Sequence, residues 1–155
     1  MTDEEIMRLA LEQAKLAGED LEVPVGAVIV RNGEVVSTGR NRRESGKNAL
    51  AHAEIEAIDS ACKKLGGWRL WECEMFVTLE PCPMCAGAII NSRIRRLVFG
   101  ASDSKAGSCG SVINLFDLPY NHRPEITGGF MADECASLLS GFFRRIREMK
   151  NNNEY

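Results

Sequence analysis

The sequence predicts an α/β fold in which a mixed β-sheet carries helices on both faces. Three observations point to it. Helical and strand-like segments alternate in the order α-β-β-α-β-α-β-(β)-α. An Asn32-Gly33 dipeptide between two strand-like segments is a strong hairpin signal. No repeat, low-complexity linker or domain boundary interrupts the 155 residues, a length suited to one core.

Thr2 and Glu5 form a capping box for a first helix. Its apolar stripe is Ile6, Leu9, Ala10 and Ala17, with Gln13 at the margin, and Gly18 is expected to stop it. Residues 23–31 and 34–39 read as strands. Asn32-Gly33 joins them because both turn positions need positive φ. A second helix, 51–65, presents Ile55, Ile58, Cys62 and Leu65 on one side and closes at Gly66-Gly67. Residues 74–79 form a strand. A helix follows over 81–91, with Pro83 at the first helical position, where its missing N–H costs nothing. Then come a short strand at 96–99, a Gly/Ser-rich loop at 100–111, a turn of helix near 112–115 and a last strand at 124–127. The closing helix, 131–150, turns Leu138, Leu139, Phe142 and Ile146 inward. Residues 1–150 are thus expected to form one domain, with a tail at 151–155 that frays.

Composition excludes several classes. Apolar residues make up 45% and charged residues 26%, as in an ordinary globular protein. No apolar run approaches membrane-spanning length, and the acidic start Met1-Thr2-Asp3-Glu4-Glu5 lacks a signal peptide's apolar core. A cytoplasmic protein is expected. Six cysteines would suit three disulfides only in a secreted chain. Cys62, Cys73, Cys109 and Cys135 are therefore expected to be reduced, mostly buried small residues. A net charge of −3 does not mark a nucleic-acid binder. Bases do cluster at Arg40–Arg43, Arg93–Arg96 and Arg144–Arg147. Solvated surface and helix ends are the ordinary reading of such clusters, and a local phosphate patch is the alternative.

The chemistry concentrates in two places. One of only two histidines opens a helix as His52-Ala53-Glu54, and Pro81-Cys82-Pro83-Met84-Cys85 opens the next but one element. Cys82 and Cys85 lie on one helical face, and a helix start favours thiolates. One His and two Cys make a set of three ligands. A structural zinc site wants four, and a catalytic one leaves the fourth position to water. Glu54 sits two residues from His52, where a helix would turn it away from the metal but within reach of that water as a proton shuttle. A lone C-x-x-C would also fit a redox pair or a structural knuckle. The conjunction of both halves, each at a helix start, favours catalytic zinc.

His-x-Glu followed by Pro-Cys-x-x-Cys resembles the pattern of the zinc nucleobase deaminases, in the cytidine/deoxycytidylate deaminase superfamily. The likeness continues through Pro24–Val28, Gly39–Arg42, Val77–Cys82, Met84–Ala88, Ser92–Ile94, Phe99–Ala101, Asn121–Arg123 and Ala132–Cys135. Over nearly the whole chain it resembles the bacterial tRNA-specific adenosine deaminases. That resemblance implies a cytidine-deaminase-like three-layer αβα sandwich on a five-stranded mixed sheet. It also implies a homodimer with one zinc per subunit. The implied activity is hydrolytic conversion of adenosine to inosine at the wobble position of a tRNA anticodon stem-loop. His52, Cys82 and Cys85 would hold the metal and Glu54 would carry the proton. Asn41 would hydrogen-bond the nucleotide, and Val25 and Ala27 would wall the pocket. Asp103, Lys105, Asn121, His122 and Arg123 would contact the RNA. Pro83 departs from the pattern and resembles guanine deaminases, so a free-base deaminase acting on guanine or cytosine is the competing enzyme. A zinc-stabilised RNA-binding module is the non-enzymatic alternative.

Overall fold

A computed structural model describes residues 1–152. The helices are α1 (Asp3–Glu19), α2 (Ala53–Leu65), α3 (Pro83–Ser92) and α4 (Ala132–Asn151). The strands are β1 (Gly26–Arg31), β2 (Glu34–Arg40), β3 (Cys73–Leu79), β4 (Arg96–Ala101) and β5 (Glu125–Thr127). They form one sheet in the order β2-β1-β3-β4-β5. β1 runs antiparallel to β2 and β3, whereas β3, β4 and β5 are parallel. The sheet is therefore mixed, with the hairpin turning at Asn32 and Gly33, φ 52° and 76°.

Strand alternation divides the core into two layers. Ala27 and Ile29, Met75 and Val77, and Leu97 and Phe99 face α2 and α3. Val28, Val30, Phe76 and Val98 face α1 and α4. The two helix pairs thus lie on opposite faces, as the element order predicts. Glycine sets the distance on each side. A Cβ at Gly26 would sit 2.0 Å from the Ala10 carbonyl oxygen, and one at Gly39 would sit 2.1 Å from that of Ala53.

That closeness corrects the expected inner faces. α2 buries Ala53, Ala57 and Ala61 fully, whereas Ile58, Cys62 and Leu65 pack half-buried at the margin of the core and Ile55 is half-buried outside it. Only small side chains fit where the helix backbone rests on the strand. α1 adds Met7, Leu11 and Ala14 to its buried stripe and leaves Leu9 and Gln13 half-buried. It runs through Gly18 and ends at Asp20, whose N–H caps it. In α4 only Cys135 is buried, and Leu138, Leu139, Phe142 and Ile146 are half-covered. This helix lies mainly over β4 and α1, towards the sheet margin. It also takes in Asn151, which the sequence assigned to a frayed tail. Asn152 caps it, and the remaining positions of that expected tail, 153–155, are outside the described residues. The predicted turn of helix near 112–115 appears later, as a 3-10 turn over Leu115–Asp117 capped by Asn114.

Replacing Gly39 by Ala is expected to cost about 1–3 kcal/mol of stability, because backbone rather than a movable side chain opposes the new methyl. Gly141→Ala in α4 meets no atom within 4 Å and is expected to gain about 0.5–1 kcal/mol. Urea denaturation of the two variants should show opposite signs.

Candidate metal and active site

The ends of two elements make the centre. β3 stops at Leu79, Glu80-Pro81 carries the chain across, and Cys82 is the N-cap of α3, with Pro83 first in the helix and Cys85 in its first turn. His52 is the N-cap of α2 and has extended backbone, φ −83° and ψ 152°. It therefore lies outside the helix, and the helical angle between it and Glu54 does not apply. His52 and Glu54 line one cavity.

The His52 Nδ1 lies 3.6 Å from the Cys82 Sγ and 3.5 Å from the Cys85 Sγ. Zn–S bonds of about 2.3 Å and a Zn–N bond of about 2.0–2.1 Å at tetrahedral angles would place N and S about 3.6 Å apart. The donor set thus fits zinc in chemistry and in spacing. Among the described residues, these three alone bring donor atoms of the metal-binding kind within 4.8 Å of one another. The carboxyl of Glu54 is not one of them.

Neither N-cap uses its side chain to satisfy its own helix, so both helix starts present partial positive charge to the cluster. The Cys82 thiol is pulled down to about 4, first by its hydrogen bond with Cys85 and then by His52. Cys85 is pushed far above the usual thiol range by Cys82, burial and Glu54. Both sulfurs would bind a divalent cation as thiolates. His52 is raised, chiefly by its bond with Cys82. Burial pushes the Glu54 carboxyl up to about 7.

A cavity of about 210 Å³ opens over this centre and brings together Val25, Asn41, His52, Glu54, Cys82 and Asp103. Cys85 is fully buried beneath it. Ala27 does not reach the cavity, because it is buried in the sheet opposite Val77. Lys105 is exposed and does not line the cavity. Asn121, His122 and Arg123 lead into β5, which pairs with the beginning of β4 and so lies at the end of the sheet away from Cys82. There the His122 Nε2 lies 2.7 Å from the Ile94 carbonyl oxygen, and Arg123 pairs with Asp117. Asn41 is buried and doubly engaged. Its Nδ2 donates to the Val23 oxygen and its Oδ1 accepts from the Arg43 N–H.

Sequence reasoning missed the residues that shape the walls. Glu80 is buried, and its carboxylate accepts from the N–H groups of Asp103, Cys109 and Ser111 and from the Ser111 hydroxyl. It ties the turn before Cys82 to the loop that carries Asp103. Gly107 is required there, since a Cβ would meet the Glu80 carboxyl at 2.4 Å. Glu22 does the same for the other wall by accepting from the N–H groups of Glu44 and Ser45. Burial works against ionisation of both acids, yet the hydrogen bonds prevail and hold them below the usual carboxylate range. Their only signal in the sequence is an acid flanked by apolar residues beside a motif. Arg43 also lines the cavity.

Comparison with known proteins places the chain among deaminases. The sequence profile described as MafB19-like deaminase matches residues 1–147. A tRNA-specific adenosine deaminase of Bacillus subtilis (strain 168) is 48% identical over 152 residues, 97% of this chain and 94% of that protein. Its counterpart in Haemophilus influenzae is 47% identical over 150 residues, 96% and 87% of the two chains. The solved structure of a tRNA:A34 deaminase, studied for A-to-I editing at the wobble position, superposes with a TM-score of 0.85 at 45% identity, covering 87% of this chain and 99% of that one. A guanine deaminase from Nitrosomonas europaea superposes with a TM-score of 0.81 at 27% identity, covering 91% and 84%.

Glu80→Gln removes acceptor capacity that four donors share, and is expected to cost about 1–3 kcal/mol. Limited proteolysis should then cut faster within 102–111. The folded carboxyl lies below its unfolded value of 4.5, so its contribution is complete above that pH and is lost as pH falls through the folded value. Acid unfolding of Glu80→Gln should accordingly be shallower than that of the parent.

Proposed function

The chain belongs to the MafB19-like deaminases and, within them, to the tRNA-specific adenosine deaminases, and we propose on that footing that it converts adenosine to inosine at the wobble position of a tRNA anticodon, with zinc at His52, Cys82 and Cys85. The observation that carries the chemistry is the three-donor cluster at zinc spacing with the buried Glu54 carboxyl lining the same cavity. Zinc bound there would lower the pKa of a water towards neutrality and ready it for attack on C6 of the adenine.

The chain's own groups supply the rest. Glu54, buried and poised to ionise near neutral pH, takes a proton from the attacking water and gives it to N1 of the adenine. It then helps to protonate the departing 6-amino group, so that ammonia leaves and inosine remains. Val23, Val25 and Leu79 give the ring an apolar wall. Asn41 keeps one N–H and one lone pair for the nucleotide after its contacts to Val23 and Arg43. The target must be unstacked to enter, which suits a loop nucleotide.

Among the described residues no helix is long and apolar enough to cross a membrane. A tRNA substrate and reduced cysteines fit the cytoplasm. The same reading takes the chain as a homodimer. Its support is the apolar surface exposed at Val112, Ile113, Leu118 and Tyr120, beyond the loop that walls the cavity. The second reading, a free-base guanine deaminase, draws on Pro83 and on the superposition with the Nitrosomonas enzyme.

Incubation with an adenosine-containing anticodon stem-loop should yield the mass change of amine to carbonyl at that residue, and guanine should be left intact. Turnover of guanine alone would reverse the choice. Glu54→Ala is expected to retain stoichiometric zinc while losing turnover by about 10²–10⁴-fold or more. Retained activity in that variant would remove the proton-carrying role.

A further inference from the structure

The loop between β2 and α2 is fixed on both sides of Arg43. The Arg43 N–H donates to the Asn41 Oδ1 at 3.3 Å, and its carbonyl accepts from the Asn48 N–H at 3.1 Å. The next two N–H groups, Glu44 and Ser45, are held at 2.9 and 2.7 Å by Glu22, a carboxylate only 1% exposed. A buried charge therefore orders the very stretch of backbone that carries Arg43 to the cavity mouth.

Among the described residues the Arg43 side chain donates no hydrogen bond, and its charge acts only at longer range, favouring the Glu22 carboxylate. Its neighbours are committed, Arg40 to Asp20 and Arg42 to Glu56. Among the described residues no carboxylate forms a salt bridge with Arg43, although the side chain is exposed and lines the cavity. The cavity's charged lining otherwise consists of Glu54, Glu80 and Asp103, with His52 and Cys82 in the metal cluster, so Arg43 is the one guanidinium or ammonium there. A free base entering such a cavity brings no phosphate. A nucleotide within an RNA brings one on each side, and both must stay at the mouth while the base goes in. Without a cation, Asp103 would repel them.

We propose that Arg43 is a phosphate-binding residue at the cavity mouth, that it holds the backbone next to the target adenosine, and that it thereby selects a nucleotide within RNA over a free base. This rests on the reading of the chain as an RNA adenosine deaminase. The guanidinium suits a phosphate because it is planar, permanently charged and able to donate two parallel hydrogen bonds.

The test is a double-mutant cycle on the zinc-loaded enzyme. Wild type, Arg43→Ala and Arg43→Lys are assayed on an anticodon stem-loop. They are then assayed on two versions in which the phosphate 5′ or 3′ of the target adenosine is replaced by a neutral methylphosphonate. On unmodified RNA, Arg43→Ala should raise KM by about ten- to a hundredfold, with a much smaller effect on kcat. It should also reduce the slope of log KM against log salt by about one. Arg43→Lys should restore most of that slope. At one of the two positions the neutral linkage should penalise wild type and cost Arg43→Ala little more. Equal penalties in wild type and Arg43→Ala at both positions would overturn the proposal and leave Arg43 as solvated surface. Failure of wild type to deaminate the unmodified stem-loop would instead overturn the functional reading beneath it.

Discussion

An imidazole nitrogen held 3.5 and 3.6 Å from two sulfurs is the constraint on which the rest depends. Flexible loops do not keep such a spacing, because each ligand would have to be ordered anew whenever a metal arrived. Here both suppliers are N-caps, His52 of α2 and Cys82 of α3, and the two helices are pressed on the same face of one sheet. The small residues of that face, Gly39 against Ala53 above all, set how near the helix starts can come. Sheet packing and ligand spacing are therefore one requirement met by the same residues.

Three buried glutamates show how the same side chain is put to opposite uses. Glu22, Glu54 and Glu80 are 1%, 4% and 3% exposed. Burial raises the cost of ionisation for each. Glu22 and Glu80 are surrounded by backbone N–H groups and remain charged, which makes them fasteners for the two walls of the cavity. Glu54 has no such set of partners, so burial prevails and its proton is held loosely enough to move near neutral pH. The three acids are distinguished by how many hydrogen bonds each accepts.

The sheet, the hairpin and the two cysteines of the donor cluster were legible because each leaves a local mark. Asn32-Gly33 specifies its turn through positive φ, Pro83 marks a helix start, and Cys82 and Cys85 lie one turn apart. What escaped depends on distance through space. Apolar periodicity marked Ile55 and Ile58, but the positions pressed on the sheet are Ala53, Ala57 and Ala61, and Ile58 packs only at the margin. Glu80 and Glu22 escaped notice, since the N–H groups that hold them come from more than twenty residues away. The place of Asn121, His122 and Arg123 at the far end of the sheet likewise follows only from β5 pairing in parallel with β4.

The two margins of the sheet differ from its centre. β5 has three residues, and β2 begins with Glu34, ends with Arg40 and shifts register between its pairs at Ser37 and Val35, opposite Ile29 and Val30. Short, charged or irregular edges are poor templates for another strand. Backbone hydrogen bonding between copies is thereby discouraged, and the sheet does not invite growth into a continuous ribbon. Association is left to helices and loops, the same elements that surround the cavity, so any contact with a second molecule would be felt where the substrate enters.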